Sequence, residues 1–270
     1  MNKAFAYYLR GWTFYLYFRG DYNGEARRMY REAIKADPKF ARAHADLAYS
    51  VLHAWLFNWD AAATPEEAQK HAQAALKIEG DDYYNNWIAA ACLLYLRQFD
   101  KATAAYDKAL ELAKSQAIPD EISALRIDRA EMLLLTDRGP EALKEIQSVL
   151  ADKSHTPEKW YYWVLSWAHY GEGQYKESLA ALGHIGRPRN AIRKNLIATQ
   201  VALGNLAEAK ADAAAFLKEE KGHGITYGTA GQTALPGLLK IEDRLPFKNP
   251  EKLKRWKGHL STAFEGALQP

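Results

Sequence analysis

Histidine and cysteine side chains are among the groups in this sequence that could ligate a metal ion or act as a nucleophile, and no carboxylate pair or serine elbow stands out. His44, His53 and His71 lie close together in the chain, but no acidic side chain follows any of them four residues later. A metal site normally needs three or four converging ligands. Cys92, the only cysteine, sits in an apolar run, where a thiol is typical of a protein core. We therefore predict no metal, no cofactor and no catalytic residue, and a protein that is not an enzyme.

Tryptophan and tyrosine are the residues whose spacing does indicate a function. Trp160, Trp163 and Trp167 recur at i, i+3 and i+7, which places them on one side of a helix. Tyr162 and Leu165 lie on the other side, so this helix must bury both sides or bind something. Trp and Tyr are favoured anchors at binding surfaces because they offer a large apolar area at little cost in rotamer entropy. The predicted chemistry is non-covalent binding, and the alternative is that these rings only pack between helices.

A short signature recurs along the chain and decides the fold class. It consists of a small residue, an apolar residue four positions later and another apolar residue three positions after that, so all three share one helical face. Upstream of several signatures lies a turn and then another stretch of apolar periodicity, so each unit is predicted to be helix, turn, helix. The signature opens at Ala26, Ala68, Ala102, Ala142, Ser178 and Ala209.

These units resemble the tetratricopeptide repeat (TPR) family, whose pattern has Trp, Leu, Gly and Tyr in the first helix and Ala, Phe, Ala and Pro in the second. The resemblance covers residues 4 to 220. It implies an all-α fold, a right-handed α-solenoid of about six TPR-like helix pairs with a C-terminal capping helix. The residues that carry it in the first and third units are Gly11, Phe14, Ala26, Tyr30, Ala33 and Pro38, then Ala90, Leu93, Phe99, Ala102, Tyr106 and Ala109.

The predicted domain organisation follows from where the repeats end. Residues 1–220 form the TPR-like superhelical domain, and residues 221–270 form a connector and capping helices. The glycines between residues 222 and 231 are interpreted as a connector, because they lack the Gly-Lys-Ser/Thr of a phosphate-binding loop. A helix is predicted from about residue 234 to 245. Asn249 is predicted to cap the last helix, with Pro250 at its first position.

A narrower resemblance links three segments to known bacterial regulators. Residues 6–11, 33–48 and 246–251 look like the repeat regions downstream of bacterial class III adenylate cyclases and of some winged-helix transcriptional regulators. In those proteins the catalytic or DNA-binding domain lies N-terminal to the repeats. Whether this chain is a stand-alone relative or a fragment stays open.

The family resemblance also implies which residues face the concave groove, because the first helix of each pair lines that wall. The chaperone-tail binders of the family use a Lys/Asn/Arg carboxylate clamp, whose positions here hold Tyr8, Trp12 and Ala45, so chaperone-tail binding is not expected. The groove residues predicted to bind a ligand are Tyr8, Trp12, Tyr15, Tyr49, His53, Tyr84, Trp87, Tyr95, Trp160, Trp163, Trp167 and Tyr170.

Charge and hydropathy exclude several classes of partner. A net charge of +3 gives no reason to expect a nucleic acid, and the longest apolar run, Trp87 to Leu96, is too short to span a membrane. A single cysteine fits a reducing compartment, so a cytoplasmic location is predicted. The predicted function is a non-enzymatic protein–protein interaction scaffold that binds a partner peptide or helix in an aromatic-rich groove. The alternatives are a small-molecule-sensing TPR module with an aromatic pocket and a structural homo-oligomer.

Overall fold

The computed structural model describes residues 2–117, 119–186, 190–222 and 234–265. These residues form fourteen helices and no strand, so the all-α prediction is confirmed. In chain order the helices are α1 (Lys3–Tyr15), α2 (Gly20–Ala36), α3 (Ala41–Leu56), α4 (Pro65–Ile78), α5 (Tyr83–Tyr95), α6 (Phe99–Gln116), α7 (Pro119–Leu135), α8 (Gly139–Ala151), α9 (Lys159–Gly171), α10 (Tyr175–Gly183), α11 (Asn190–Ala202), α12 (Leu206–Gly222), α13 (Ala234–Glu242) and α14 (Pro250–Phe264).

Two compact units divide the chain, and we call them unit 1 (Met1–Leu125) and unit 2 (Arg126–Pro270). Unit 1 contains α1 to α6 and the beginning of α7, and unit 2 contains the remainder. The helices from α1 to α12 follow one another as six pairs, which are the six predicted repeats, and the predicted solenoid fold is confirmed. The predicted domain boundary near residue 220 stays a prediction, because the connector residues 223–233 lie outside the described ranges.

The small residue that opens each signature lies where two helices of a pair meet. A small side chain there lets two helix backbones approach closely, so its full burial is expected. In α1 the same role falls to Gly11, where an added Cβ would lie 2.7 Å from the ring of Tyr30 on α2. The exposed fraction is 0% at all six opening positions, Ala26, Ala68, Ala102, Ala142, Ser178 and Ala209.

The turn within each pair contains one residue with a left-handed backbone. Two of these residues are glycines, Gly173 (φ 75°) and Gly204 (φ 83°), which adopt this conformation without steric cost. At the same place the other four turns have a residue with a Cβ, for which the left-handed conformation costs about 1–2 kcal/mol. These residues are Phe18, Asn58, Arg97 and Asp137.

A buried chain of polar side chains joins α9, α10 and α11 in unit 2. The hydroxyl oxygens of Ser166 and Ser178 lie 2.9 Å apart, and that of Ser178 lies 3.0 Å from Thr199 Oγ1. The side-chain amide of Asn195 donates to Ser166 Oγ at 2.7 Å. Because buried polar groups must be hydrogen-bonded, this network fixes how the last two repeats stack.

The chain after the sixth repeat ends in the predicted capping helix. Asn249 Oδ1 accepts a hydrogen bond from the backbone N–H of Glu251 at 3.0 Å, and Pro250 occupies the first helical position. The helix α14 packs against α11 and α12, and the ring of Phe264 lies 5.8 Å from that of Phe216. The predicted start of the helix is therefore observed, and its capping role stays a prediction.

Candidate functional site

The first helices of the three pairs in unit 1 present their aromatic side chains on one face. In this stack α3 lies between α1 and α5. Ring contacts join the neighbouring helices, with 6.2 Å between the centroids of Tyr15 and Tyr49 and 5.9 Å between those of Tyr15 and His53. We call this surface the first-helix face of unit 1. The predicted groove residues on its three helices are Tyr8, Trp12, Tyr15, Tyr49, His53, Tyr84, Trp87 and Tyr95.

One group on this face is built around His53. The hydroxyl of Tyr15 lies 2.9 Å from His53 Nδ1, and the ring of Tyr49 lies 4.3 Å from the imidazole. Burial lowers the pKa of His53 to about 3. The imidazole is therefore neutral at physiological pH, and its hydrogen bond with the Tyr15 hydroxyl joins α1 to α3.

A second group on the same face is centred on the buried carboxylate of Asp46. The hydroxyl of Tyr84 donates to this carboxylate, and Tyr8 on α1 lies close enough to interact with it electrostatically. The guanidinium carbon of Arg42 lies 3.3 Å from the ring centroid of Tyr84, and Arg42 Nε is 3.9 Å from Asp46 Oδ2. Burial raises the pKa of Asp46, while Arg42 and the two hydroxyls oppose that shift. The result is a compact ionic group that anchors α1 and α5 to α3.

Asp46 was not among the predicted site residues, although one signal for it exists in the sequence. It is the only acidic residue of α3, and it follows Arg42 by one helical turn. An ion pair at i, i+4 inside a mostly apolar helix indicates a charge that is buried and paired.

The exposed part of the face lies along α1 and α5. The exposed fractions are 44% for Phe5 and 37% for Trp12. On α5, Trp87 keeps part of its surface exposed and contacts Tyr84 with 5.7 Å between ring centroids. Cys92, on the other side of the same helix, is fully buried, and burial raises the pKa of its thiol to about 12. It is a core residue, as the sequence predicted.

The remaining predicted groove residues lie on α9 in unit 2. The ring of Trp160 packs perpendicular to Tyr161, with 4.6 Å between centroids. The indole N–H groups of Trp163 and Trp167 are buried and have no acceptor among the described residues. These two side chains therefore contribute apolar contact within the part of the chain that the structure describes.

Residues of the chain's own C-terminal segment, 243–264, lie on two of these residues. Trp167 is 9% exposed, since the ring of Phe247 stacks on it at 5.8 Å and that of Trp256 lies at 4.9 Å. The hydroxyl of Tyr170 lies 2.7 Å from His259 Nδ1. In unit 2 the C-terminal segment thus occupies part of the surface that was predicted to bind a ligand.

Ionic contacts fasten the C-terminal segment to the ends of α7 and α9. Lys252 Nζ lies 2.9 Å from Asp137 Oδ1 and 2.9 Å from Glu172 Oε1. Arg255 donates a hydrogen bond to the backbone oxygen of Gly171 at 2.8 Å. Basic groups are favoured at helix C-termini, where unpaired carbonyl groups and the helix dipole attract them. These contacts hold α14 against the end of α9, which is why part of the α9 aromatic surface is covered.

Two further findings concern the part of the chain that the structure describes. No helix there is long and apolar enough to cross a membrane. No group of three histidine, cysteine, aspartate or glutamate side chains converges there as a metal site would require.

No protein-family model and no curated protein matches the chain. Among solved structures, yeast Tom70 has a TM-score of 0.52 at 16% identity, with 98% of this chain and 53% of Tom70 covered. PilF of Pseudomonas aeruginosa has a TM-score of 0.50 at 16% identity, with coverages of 81% and 90%. A tetratricopeptide repeat protein from Parabacteroides merdae has a TM-score of 0.48 at 14% identity, with coverages of 97% and 98%.

These similarities bear on the fold. They give no link to adenylate cyclases or to winged-helix regulators, so that narrower resemblance stays a prediction. The similarity to Tom70 and PilF concerns the fold alone. With its six helix pairs and their buried small residues, the chain has an all-α solenoid fold.

Proposed function

We propose that this chain is a non-enzymatic protein-interaction scaffold, which holds a peptide or a helix of a partner protein against the first-helix face of unit 1. One observation carries the proposal. Aromatic side chains from three consecutive first helices share this face and keep part of their surface exposed, as Trp12, Tyr49 and Trp87 do. Partly exposed Trp and Tyr side chains are favoured anchors for a protein partner.

Hydrogen bonds within the first-helix face of unit 1 hold two of its tyrosines in place before any partner binds. The side chains of Tyr15 and Tyr84 are held by His53 and Asp46, so their rotamers are fixed before a partner arrives. A preorganised surface loses less conformational entropy on binding, which leaves more of the contact energy as affinity. The Arg42 guanidinium stacks on Tyr84 and pairs with the Asp46 carboxylate, so its positive charge is largely balanced within the face.

The test uses the wild-type chain as bait in a cell lysate, followed by affinity measurements on the purified partner. We expect Tyr49→Ala and Trp87→Ala to weaken binding by about 2 kcal/mol, or roughly thirtyfold, as truncated anchors do. Tyr17→Ala is the control, since Tyr17 is 57% exposed and is not a predicted groove residue. Melting temperatures of both variants should stay near that of wild type.

Two outcomes would contradict the proposal. Undiminished capture by both variants would remove this face as the binding surface. Capture of no protein, together with a rise in melting temperature on adding a small molecule, would favour the small-molecule sensor instead, because a ligand stabilises the folded state that binds it.

We also propose that the protein is cytoplasmic, because a lone buried thiol such as Cys92 fits a reducing compartment. A bacterial regulator, as the narrower sequence resemblance suggests, would use such a scaffold to receive a protein signal.

A further inference from the structure

The first helices of the first and fifth pairs, α1 and α9, have their aromatic residues in the same register. Gly11 of α1 packs against the second helix of its pair, at the ring of Tyr30. Ser166 of α9 does the same, with its hydroxyl 2.9 Å from that of Ser178. When Gly11 and Ser166 are aligned, each predicted groove residue of α9 matches an aromatic residue of α1 at a constant offset of 155 residues. The matched residues are Phe5 with Trp160, Tyr8 with Trp163, Trp12 with Trp167, and Tyr15 with Tyr170.

The matched tryptophans of α1 and α9 differ in what lies on them. Trp167 is 9% exposed, because Phe247 and Trp256 of the C-terminal segment lie on its ring. Trp12 is 37% exposed, and the ring that contacts it among the described residues is that of Tyr15 in the same helix, at 6.3 Å. The chain itself therefore shows, on α9, which kind of group covers a position that is open on α1.

The groups that cover Trp167 are aromatic, and their geometry is that of ring stacking. The ring of Phe247 is nearly parallel to the indole, at an angle of 9° and a centroid distance of 5.8 Å. The ring of Trp256 lies closer, at 4.9 Å and an angle of 44°. Aromatic pairs contribute favourable energy beyond the apolar area that they bury, which an aliphatic side chain in the same place would not. A Phe or Trp side chain is therefore the group that fits this position best.

The ionic contacts of the C-terminal segment have no counterpart at α1. Glu172 follows α9, and its carboxylate lies 2.9 Å from Lys252 Nζ. The matched residue after α1 is Tyr17, which has no charge, and α1 contains no acidic residue that could replace Glu172. A segment that binds next to Trp12 therefore needs the aromatic ring but not the lysine.

We infer that Trp12 is the docking position for an aromatic side chain of the partner segment, which stacks on it as Phe247 and Trp256 stack on Trp167. The inference rests on the proposed function, because Trp12 belongs to the first-helix face of unit 1, and it names the chemistry of the partner there. A second copy of the chain fits less well as the source of the ring, since Phe247 and Trp256 are themselves 8% and 1% exposed.

The probe is a fluorescein-labelled synthetic peptide with the sequence of residues 245–264, which contains both stacking rings. It is titrated with the full chain, and fluorescence anisotropy gives the dissociation constant. We expect a peptide with Phe247→Leu and Trp256→Leu to bind about tenfold more weakly, because leucine keeps an apolar side chain but cannot stack. A peptide with Lys252→Ala should bind as tightly as the unchanged peptide, because Tyr17 takes the place of Glu172 at α1.

Variants of the chain assign the binding to Trp12. Trp12→Ala should weaken binding of the unchanged peptide about tenfold or more, as truncation of an anchor does, and Trp12→Phe should restore most of the affinity. Leu206→Ala is the control, since Leu206 is 44% exposed and lies on α12. The melting temperature of Trp12→Ala should stay near that of wild type, because the side chain is partly exposed.

Several results would overturn the inference. They are a dissociation constant above about 1 mM, equal affinity of the leucine peptide, and full binding by Trp12→Ala. Weaker binding of the Lys252→Ala peptide would also contradict it, because it would place the peptide on α9 next to Glu172. Self-association of the wild-type chain in sedimentation velocity that Trp12→Ala abolishes would assign the position to a second copy.

The proposed function can fail separately from this inference. Undiminished capture of a lysate protein by Tyr49→Ala and Trp87→Ala contradicts the proposed function, whatever the peptide does. Diminished capture by these variants, together with no binding of the peptide to wild type, leaves the proposed function standing and overturns the inference about Trp12.

Discussion

The ion pair between Lys194 and Glu242 links α13 to the sixth repeat and permits a quantitative test. Lys194 Nζ on α11 lies 2.5 Å from Glu242 Oε1 at the end of α13, with exposed side-chain fractions of 12% and 2%. Glu242 Oε2 also accepts a hydrogen bond at 2.8 Å from the indole of Trp256 on α14. Lys194→Met leaves the carboxylate buried with only this one donor. Breaking a buried pair on one side costs about 3–5 kcal/mol.

A double variant separates the value of the pair from the cost of the orphaned charge. Lys194→Met combined with Glu242→Gln removes the buried charge as well, so much of the lost stability should return. Urea unfolding followed by tryptophan fluorescence gives the free energy of unfolding of the single and the double variant. The signal is sensitive because Trp256 contacts both Trp167 and the Glu242 carboxylate. The reasoning is refuted if Lys194→Met costs less than about 1 kcal/mol, the range of an exposed pair, or if the double variant is no more stable than the single one.

Two further predictions concern the turns and the buried histidine. Gly204→Ala should lower the free energy of unfolding by about 1–2 kcal/mol, because φ is 83° at this position. Gly258→Ala is the control and should raise it by up to about 1 kcal/mol, since this residue lies within α14 with open space around it. Equal urea midpoints for the two variants would contradict this. His53 has a folded-state pKa of about 3, below its ordinary value of 6.5, so the unfolded chain binds more protons between these values. Stability should therefore fall by up to about 1.4 kcal/mol per pH unit as pH drops below 6.5, and urea midpoints of His53→Gln should change less with pH than those of wild type.

The aromatic residues of α9 show how far local sequence can predict a site. The i, i+3, i+7 spacing correctly places Trp160, Trp163 and Trp167 on one helix. The sequence pattern cannot show that Phe247 and Trp256 cover Trp167, because those residues are some 80 positions further along the chain. Contacts over such distances depend on how the helices pack, which periodicity does not encode.

The sequence by itself determined the six helix pairs and their close packing. A small residue followed by apolar residues four and seven positions later is a local pattern, and helical geometry converts it directly into a buried face. Only the tertiary structure decided which aromatic surfaces stay open. Asp46 is buried because Tyr8 and Tyr84 converge on it from other helices, and Trp167 is buried because Phe247 and Trp256 lie on it. Burial of this kind is a property of neighbours brought together by folding, so no single helix specifies it.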